Sequence, residues 1–166
     1  MILGMSLPVF TEFHVTLSLV GIVAGILVAF AMLGSKRPPA MTALFLLSSV
    51  LTDITGFMFP TPFDAADVVG IISLVFLAVA IFALYGRKLA GASRWLYVVG
   101  ALVGLYLNCF VLVVQTFQKV AFFHALAPTQ KEPPFAAAQG IVLVLFIGLG
   151  IVALRKFRPR TLAAIA

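Results

Sequence analysis

The strongest constraint on this chain is a series of five long apolar stretches joined by short connections. A helix needs about 20 mostly apolar residues to cross roughly 30 Å of hydrocarbon, and each stretch has that length. Only 10% of the 166 residues are charged and 63% are hydrophobic, which leaves too few solvated side chains for a water-soluble globule. We therefore predict an all-α integral membrane bundle of five transmembrane helices, with spans at about 10–33, 41–59, 64–86, 95–120 and 135–154.

The spans and their connections fill the sequence, so residues 1–166 are predicted to form one transmembrane domain with no separate catalytic domain. No nucleophile–base triad, phosphate-binding glycine loop or dinucleotide motif is recognisable, and an enzyme is the less favoured class. Ala29-Phe30-Ala31 resembles a signal-peptidase cleavage site after an apolar run. Because Glu12 and His14 precede that run instead of a basic segment, we interpret it as the first span.

The net charge of +6 comes from basic clusters that follow the first, third and fifth spans. These residues are Lys36, Arg37, Arg87, Lys88, Arg94, Arg155, Lys156, Arg158 and Arg160. Five crossings place all of them on one side, which the positive-inside rule makes cytoplasmic, with the N-terminus outside and the C-terminus cytoplasmic. Such clusters at helix ends favour anionic lipid headgroups as partners and argue against nucleic acid.

Glycines indicate which helix faces pack together. The first span contains Gly21-Ile-Val-Ala-Gly25 and the fourth contains Gly100-Ala-Leu-Val-Gly104, a spacing that lets two helices approach closely in lipid. The polar residues of the fourth span continue its glycine stripe and should therefore face protein. The third span holds only Ser73 and alanines, so we expect it to be the most lipid-exposed helix or a purely structural one. The first, second and fourth spans are predicted to form the core, with the fifth contributing Gln139.

Polar residues are predicted to meet in two layers of the outer half. The lower layer, about 18–22 Å from the inner helix ends, contains Asp53, Asn108, Ser18 and Gln139. The upper layer, at about 28–30 Å, contains His14 and Gln115. The predicted rim consists of Glu12, Lys119 and His124. Because the inner half is apolar, these layers predict a polar pocket that opens outward and is closed below.

Asp53 is the candidate with the clearest physical argument. An ionisable residue at this depth costs at least about 2.5 kcal/mol on insertion scales and usually marks a pathway or a partner. We expect it to bind a proton and to lie opposite Asn108. The structural alternative is a hydrogen-bonded aspartate that only fastens helices together, using Asn108, Thr52 or Ser49.

The residue types give little support for a bound cofactor, and we favour no particular cofactor. A metal at Glu12 and His14 would need Asp53 or His124 as well, but helix residues two apart point about 200° apart. Haem would have only His14 and His124 as histidine ligands. A quinone or similar amphiphile is easier to place, with His14 or Gln115 as its hydrogen-bonding group. The single cysteine, Cys109, excludes an intrachain disulfide.

Three stretches, 53–60, 106–128 and 132–140, carry a resemblance to a group of small bacterial multispanning membrane proteins with no assigned activity. They include Asp53-Ile-Thr-Gly-Phe-Met-Phe-Pro60 and Glu132-Pro-Pro-Phe-Ala-Ala-Ala-Gln-Gly140. The resemblance covers residues 10–159, and it implies a bacterial cytoplasmic membrane but nothing about chemistry.

Three classes of function fit these features. The first is a transport- or sensing-related protein whose outward pocket binds a proton, a cation or a small amphiphile. The second is a structural or accessory subunit in which the same amides only fix helix register. The third is a quinone- or haem-linked redox protein. Besides the lipid bilayer, a second copy of the chain or another membrane protein is compatible as a partner.

Overall fold

A computed structural model describes residues 1–159, so the predicted basic residue Arg160 and the end of the predicted domain lie outside the described residues. The described part is helical and contains no β-strand. Its helices are α1 Leu7–Leu33, α2 Pro39–Gly56, α3 Ala65–Ile81 with a π-helical continuation Phe82–Gly86, α4 Ser93–Lys119, α5 Ala121–Leu126 and α6 Pro133–Lys156.

Five of these helices are long and apolar enough to cross a membrane, which confirms the all-α class and the number of candidate spans. They are α1, α2, α3 with its continuation, α4 and α6. The bounds of these helices differ from the predicted spans by at most three residues, at the start of α1, which is Leu7 instead of residue 10, and at the end of α2, which is Gly56 instead of residue 59. The short α5 lies in the connection between α4 and α6. We refer to the bundle end with the α1–α2 and α3–α4 turns as the basic end and to the other as the acidic end.

The start of α3 is fixed by Asp64, which is the N-cap of the helix. Its carboxylate accepts the backbone N–H of Ala66 at 2.7 Å, and the Asp67 carboxylate accepts the Asp64 N–H at 2.8 Å. This reciprocal capping box satisfies two backbone donors at once, which explains why the helix begins directly after Asp64.

Both glycine motifs allow close helix approach, as predicted. A methyl group on Gly25 of α1 would come within 2.8 Å of the Phe45 ring of α2. On α4, a methyl group on Gly100 would lie 2.5 Å from the Phe76 carbonyl oxygen of α3. The motifs therefore hold two antiparallel pairs together, α1 with α2 and α3 with α4.

The expectation that α3 is the most lipid-exposed helix is wrong. In the hydrophobic stretch of α6 only 6% of residues are buried, against 28% in that of α3. Ser73, Leu77 and Ala80 of α3 are all buried, because the Gly100 and Gly104 face of α4 brings the two helices into close contact. The core therefore includes α3, and α6 packs mainly against α4 along one edge.

The apolar core occupies the half of the bundle towards the basic end. Its fully buried side chains include Val28, Met32, Phe45, Leu84 and Leu105. Tyr97 is fully buried, and its ring centroid lies 5.7 Å from that of Phe157. Buried polar residues are concentrated nearer the acidic end, with Thr42 and Ser93 as exceptions. This distribution agrees with a polar region closed by apolar packing on one side.

Candidate functional site

Helix α2 supplies most of the buried polar groups. Ser48, Ser49, Thr52, Asp53 and Thr55 all have buried side chains. The Thr52 hydroxyl donates to the Ser48 carbonyl at 2.8 Å, and the Ser48 hydroxyl donates to the Leu44 carbonyl at 2.6 Å. These hydroxyls therefore satisfy themselves on their own helix, as serine and threonine commonly do in membrane helices. Asp53 has no such local partner.

The Asp53 residue is 9% exposed, and its carboxyl Oδ2 atom is buried without a hydrogen-bond partner among the described residues. The hydroxyl of Ser73 on α3 lies beside it across the α2–α3 interface, but it also lacks a completed hydrogen bond. Two buried oxygens without a hydrogen-bond partner thus lie near each other at the α2–α3 interface. Buried polar atoms are nearly always paired, so this pair is the least expected feature among the buried polar groups.

Asn108 lies one helical turn away from the position predicted for it. Its Nδ2 group donates to the Ser49 hydroxyl oxygen at 3.1 Å, so it faces Ser49 instead of Asp53. The predicted depths were counted from the helix ends, on the assumption that these ends lie at one level in the bundle. Ser49 is the eleventh residue of α2 and Asn108 the sixteenth of α4, an offset of five residues or about 7–8 Å at the rise of an α-helix.

His14 is joined to α2 through Thr55. The two atoms, His14 Nδ1 and Thr55 Oγ1, are 2.8 Å apart. Because the Thr55 hydroxyl proton is directed at the Leu51 carbonyl at 2.7 Å, the imidazole is the donor and its Nε2 atom is left free to accept. The ring packs edge-on against Phe59 at 5.2 Å, and Lys119 is close enough to act on it electrostatically.

Two glutamines near the acidic end donate hydrogen bonds to carbonyl groups of the α4 backbone. Gln139 Nε2 donates to the Phe110 carbonyl at 3.2 Å, and Gln130 Nε2 donates to the Val114 carbonyl at 2.9 Å. The Oε1 atoms of Gln139 and Gln115 are buried and have no partner among residues 1–159. Gln130 therefore anchors the connection between α4 and α6 to the bundle.

The remaining predicted residues are peripheral. Ser18 is half-buried on α1 and makes no hydrogen bond in the described part of the chain. The three rim residues, Glu12, Lys119 and His124, are all exposed at the acidic end. His124 belongs to α5, because the fourth long helix ends at Lys119. The outward opening of the polar region stays a prediction.

Within residues 1–159, no three His, Cys, Asp or Glu side chains lie close enough together to hold a metal ion. Cys109 is a half-buried free thiol on α4. His14 is bonded within the bundle and His124 is exposed on α5, so the two histidines occupy different surroundings.

Two contributors to the site were missed at the sequence level. Ser73 was treated as incidental, although it is the only hydroxyl in the apolar run of α3 and such isolation is itself a signal. Thr55 was overlooked because its partner is 41 positions away in the sequence. Helix periodicity places a residue on a face, but it does not say which helix that face meets.

Two cavities of the bundle lie away from the polar region. An apolar cleft of about 530 Å³ separates α1 from α6, between Ile26, Phe30 and the segment 144–152. A second cavity of about 400 Å³ lies at the basic end between α4 and α6.

The chain matches no protein-family model, no curated protein and no solved structure.

Proposed function

We propose that this is a small multi-pass membrane protein that reversibly binds a proton or a small cation at Asp53, in support of transport or sensing. The observation that carries the proposal is the unpaired Asp53 Oδ2 beside the unpaired Ser73 hydroxyl, both buried between α2 and α3. Insertion of a charged carboxylate into hydrocarbon costs about 2.5–3.5 kcal/mol. A bound proton or cation removes that cost by neutralising the charge.

The surroundings of Asp53 support binding of a small species. The neighbouring hydroxyls of Thr52 and Ser48 are directed at backbone carbonyls, so they do not neutralise the carboxylate. Oxygen atoms of carboxylates and hydroxyls are the ligands that hard cations prefer, and a proton needs only one of them. Asn108 and His14 lie on either side along α2, through Ser49 and Thr55. They would orient the occupant without contacting Asp53 directly.

The direction of access follows from the charge distribution. With the basic end in the cytoplasm, the Asp53 region belongs to the outer half of the membrane and its approach runs past His14 and Lys119. In this proposal the N-terminus is outside, the membrane is a bacterial cytoplasmic membrane, and the pocket faces outward. The apolar core between Asp53 and the basic end closes the inner side.

A structural role is the second candidate, and the Asn108–Ser49 hydrogen bond favours it. That bond joins α4 to α2 in the middle of the bundle, which is what a register-fixing contact does. Interhelical bonds of this kind are worth about 0.6 kcal/mol on average in membranes. Such a bond explains Asn108, but it does not explain an aspartate without a partner.

The test uses the full chain in liposomes, where proton uptake is measured after a step in external pH and thermal stability is measured over a series of monovalent and divalent cations. Asp53→Asn keeps the shape of the side chain and should abolish proton uptake and any cation-dependent stabilisation. Glu12→Gln removes an exposed carboxylate at the acidic end and should leave both unchanged. If Asp53→Asn folds and behaves like the wild type in both assays, the structural role is the correct one.

A further inference from the structure

The cavity at the basic end has a different character from the Asp53 region. It lies between the first turn of α4 and the last turn of α6, and has a volume of about 400 Å³. Its lining residues are Arg94, Trp95, Ile151, Leu154, Arg155 and Arg158. We call it the arginine cavity.

Three guanidinium groups line the arginine cavity, and no carboxylate side chain of the chain is near enough to balance them. Of the five acidic residues, Asp53 lies in the far half of α2, and Glu12, Asp64, Asp67 and Glu132 lie at the acidic end. The N-terminal end of α4 adds the partial positive charge of a helix dipole. An anion from outside the chain is therefore the natural counter-ion.

The rest of the lining is apolar, and much of it is exposed at the surface of the bundle. Ile151 is 47% exposed and Trp95 is 54% exposed, although both are large hydrophobic side chains. Ile151 precedes Arg155 by one helical turn, so on α6 the apolar part lies deeper in the bundle than the charged part. A free inorganic anion would cover only the arginines, whereas an amphiphile covers both parts.

The arginine side of the cavity is held in place by contacts within the protein. Arg94 Nη1 donates to the Phe157 carbonyl at 2.5 Å, and its guanidinium carbon lies 5.7 Å from the centre of the Trp95 ring. The backbone N–H of Arg158 donates to the Ser35 hydroxyl oxygen at 2.7 Å. These contacts fix the segment after α6 against the turn between α1 and α2. One guanidinium group can donate two parallel hydrogen bonds to phosphate oxygens. Positioning of the binding groups before the ligand arrives lowers the entropy lost on binding.

We propose that the arginine cavity binds the phosphate headgroup of one anionic phospholipid, with the start of an acyl chain along Ile151 and Leu154. Basic recesses between helices at the membrane surface are known to suit such headgroups. The proposal does not depend on proton or cation binding at Asp53, because the two sites lie at opposite halves of the bundle and share no residue.

The test measures binding of phosphatidylglycerol to the full chain in neutral detergent, by native mass spectrometry and by the shift in unfolding temperature. We expect one saturable lipid adduct, with phosphatidylcholine binding more weakly. Arg155→Gln/Arg158→Gln should weaken the affinity about 25-fold, at about fivefold for each basic residue near a lipid surface. Neither side chain makes a hydrogen bond within residues 1–159, so the double variant should fold. If the double variant does not fold, the single variant Arg155→Gln replaces it in the test.

The control is Lys36→Gln/Arg87→Gln, which removes two exposed charges at the same end but outside the cavity. It should weaken binding much less than the cavity variant does, because neither Lys36 nor Arg87 lines the cavity that holds the headgroup. An equal loss in both double variants would show diffuse attraction to the basic end and overturn the proposal. Equal binding of phosphatidylcholine and phosphatidylglycerol would also overturn the proposal. If inorganic phosphate at the same concentration displaces the lipid and raises the unfolding temperature equally, the cavity is a free-anion site instead.

Discussion

Asp53 and Thr52 are adjacent on α2, yet only one of them is unpaired. Thr52 reaches the carbonyl of Ser48 with its own hydroxyl, whereas an ionised carboxylate has no proton to donate to a carbonyl. A buried aspartate in a helix therefore depends on a partner from another helix or on a bound species. Ser73 is the neighbour that α3 provides, and it does not complete a bond. This difference between two neighbouring residues is why we assign the site to Asp53.

The close packing of α3 against α4 can be tested with a single glycine substitution. In Gly100→Ala, the new methyl group would lie 2.5 Å from the Phe76 carbonyl oxygen and 3.0 Å from the Ala80 nitrogen, so α3 and α4 must move apart. We expect a loss of about 1–3 kcal/mol in the free energy of unfolding, as for overpacked cores. Reversible unfolding in a denaturing detergent measures it.

The matched control is Gly140→Ala on α6, where nothing lies within 4 Å of the new methyl group. Alanine favours a helix by up to about 1 kcal/mol over glycine, so this variant should be neutral or slightly more stable. A similar loss in both variants would mean that α3 and α4 do not pack as described.

At the scale of whole helices, pairing in the bundle follows contacts between small residues. α1 and α2 meet at Gly21 and Gly25, and α3 and α4 meet at Gly100 and Gly104. Small residues let backbones approach, and that approach is the main source of stability between helices in lipid. α6 lacks such a contact at Gly140 and Gly148, which explains why it is the most exposed of the five long helices.

At the scale of a single helix, substitutions in the capping box test what stabilises the start of α3. Asp64→Ala removes the acceptor for the Ala66 backbone N–H and should destabilise the protein by about 1 kcal/mol. Asp64→Asn keeps a capping oxygen and should lose much less. Ser6→Ala, at the N-cap of α1, should have little effect because the Ser6 side chain makes no capping bond. The measurement is thermal unfolding of the three variants in one detergent. If Ser6→Ala lowers the stability as much as Asp64→Ala does, the capping box does not stabilise α3.

On the scale of the whole molecule, charge asymmetry organises the bundle. The described basic residues of the α1–α2 turn, the α3–α4 turn and the segment after α6 gather at one end, and four of the five acidic side chains gather at the other. The apolar core lies towards the basic end and the buried polar groups lie towards the acidic end. The two proposed sites therefore differ in chemistry because they occupy opposite halves of one bundle.

Orientation in the membrane is testable with single cysteines in a Cys109→Ala background. Phe63→Cys lies in the α2–α3 connection at the acidic end and Ala92→Cys lies just before α4 at the basic end; both positions are exposed and uncharged. With the N-terminus outside, a membrane-impermeant maleimide should label position 63 in intact bacteria and position 92 only after permeabilisation. The reverse pattern would place the Asp53 region on the cytoplasmic side.

The sequence by itself determined the class, the number of long helices and the packing role of the glycines. Apolar length, charge placement and small-residue spacing are local properties that any helix in lipid must obey. It also singled out Asp53, because a carboxylate in an apolar run is unusual in any fold.

Only the tertiary structure decided which polar groups meet. The five-residue offset between α2 and α4 set Asn108 against Ser49, and the contact between α3 and α4 buried Ser73 beside Asp53. The closing of α6 onto the start of α4 gathered Arg94, Arg155 and Arg158 around one cavity. Helix stagger and the choice of neighbour depend on contacts between residues far apart in the chain, and periodicity along one helix carries no information about them.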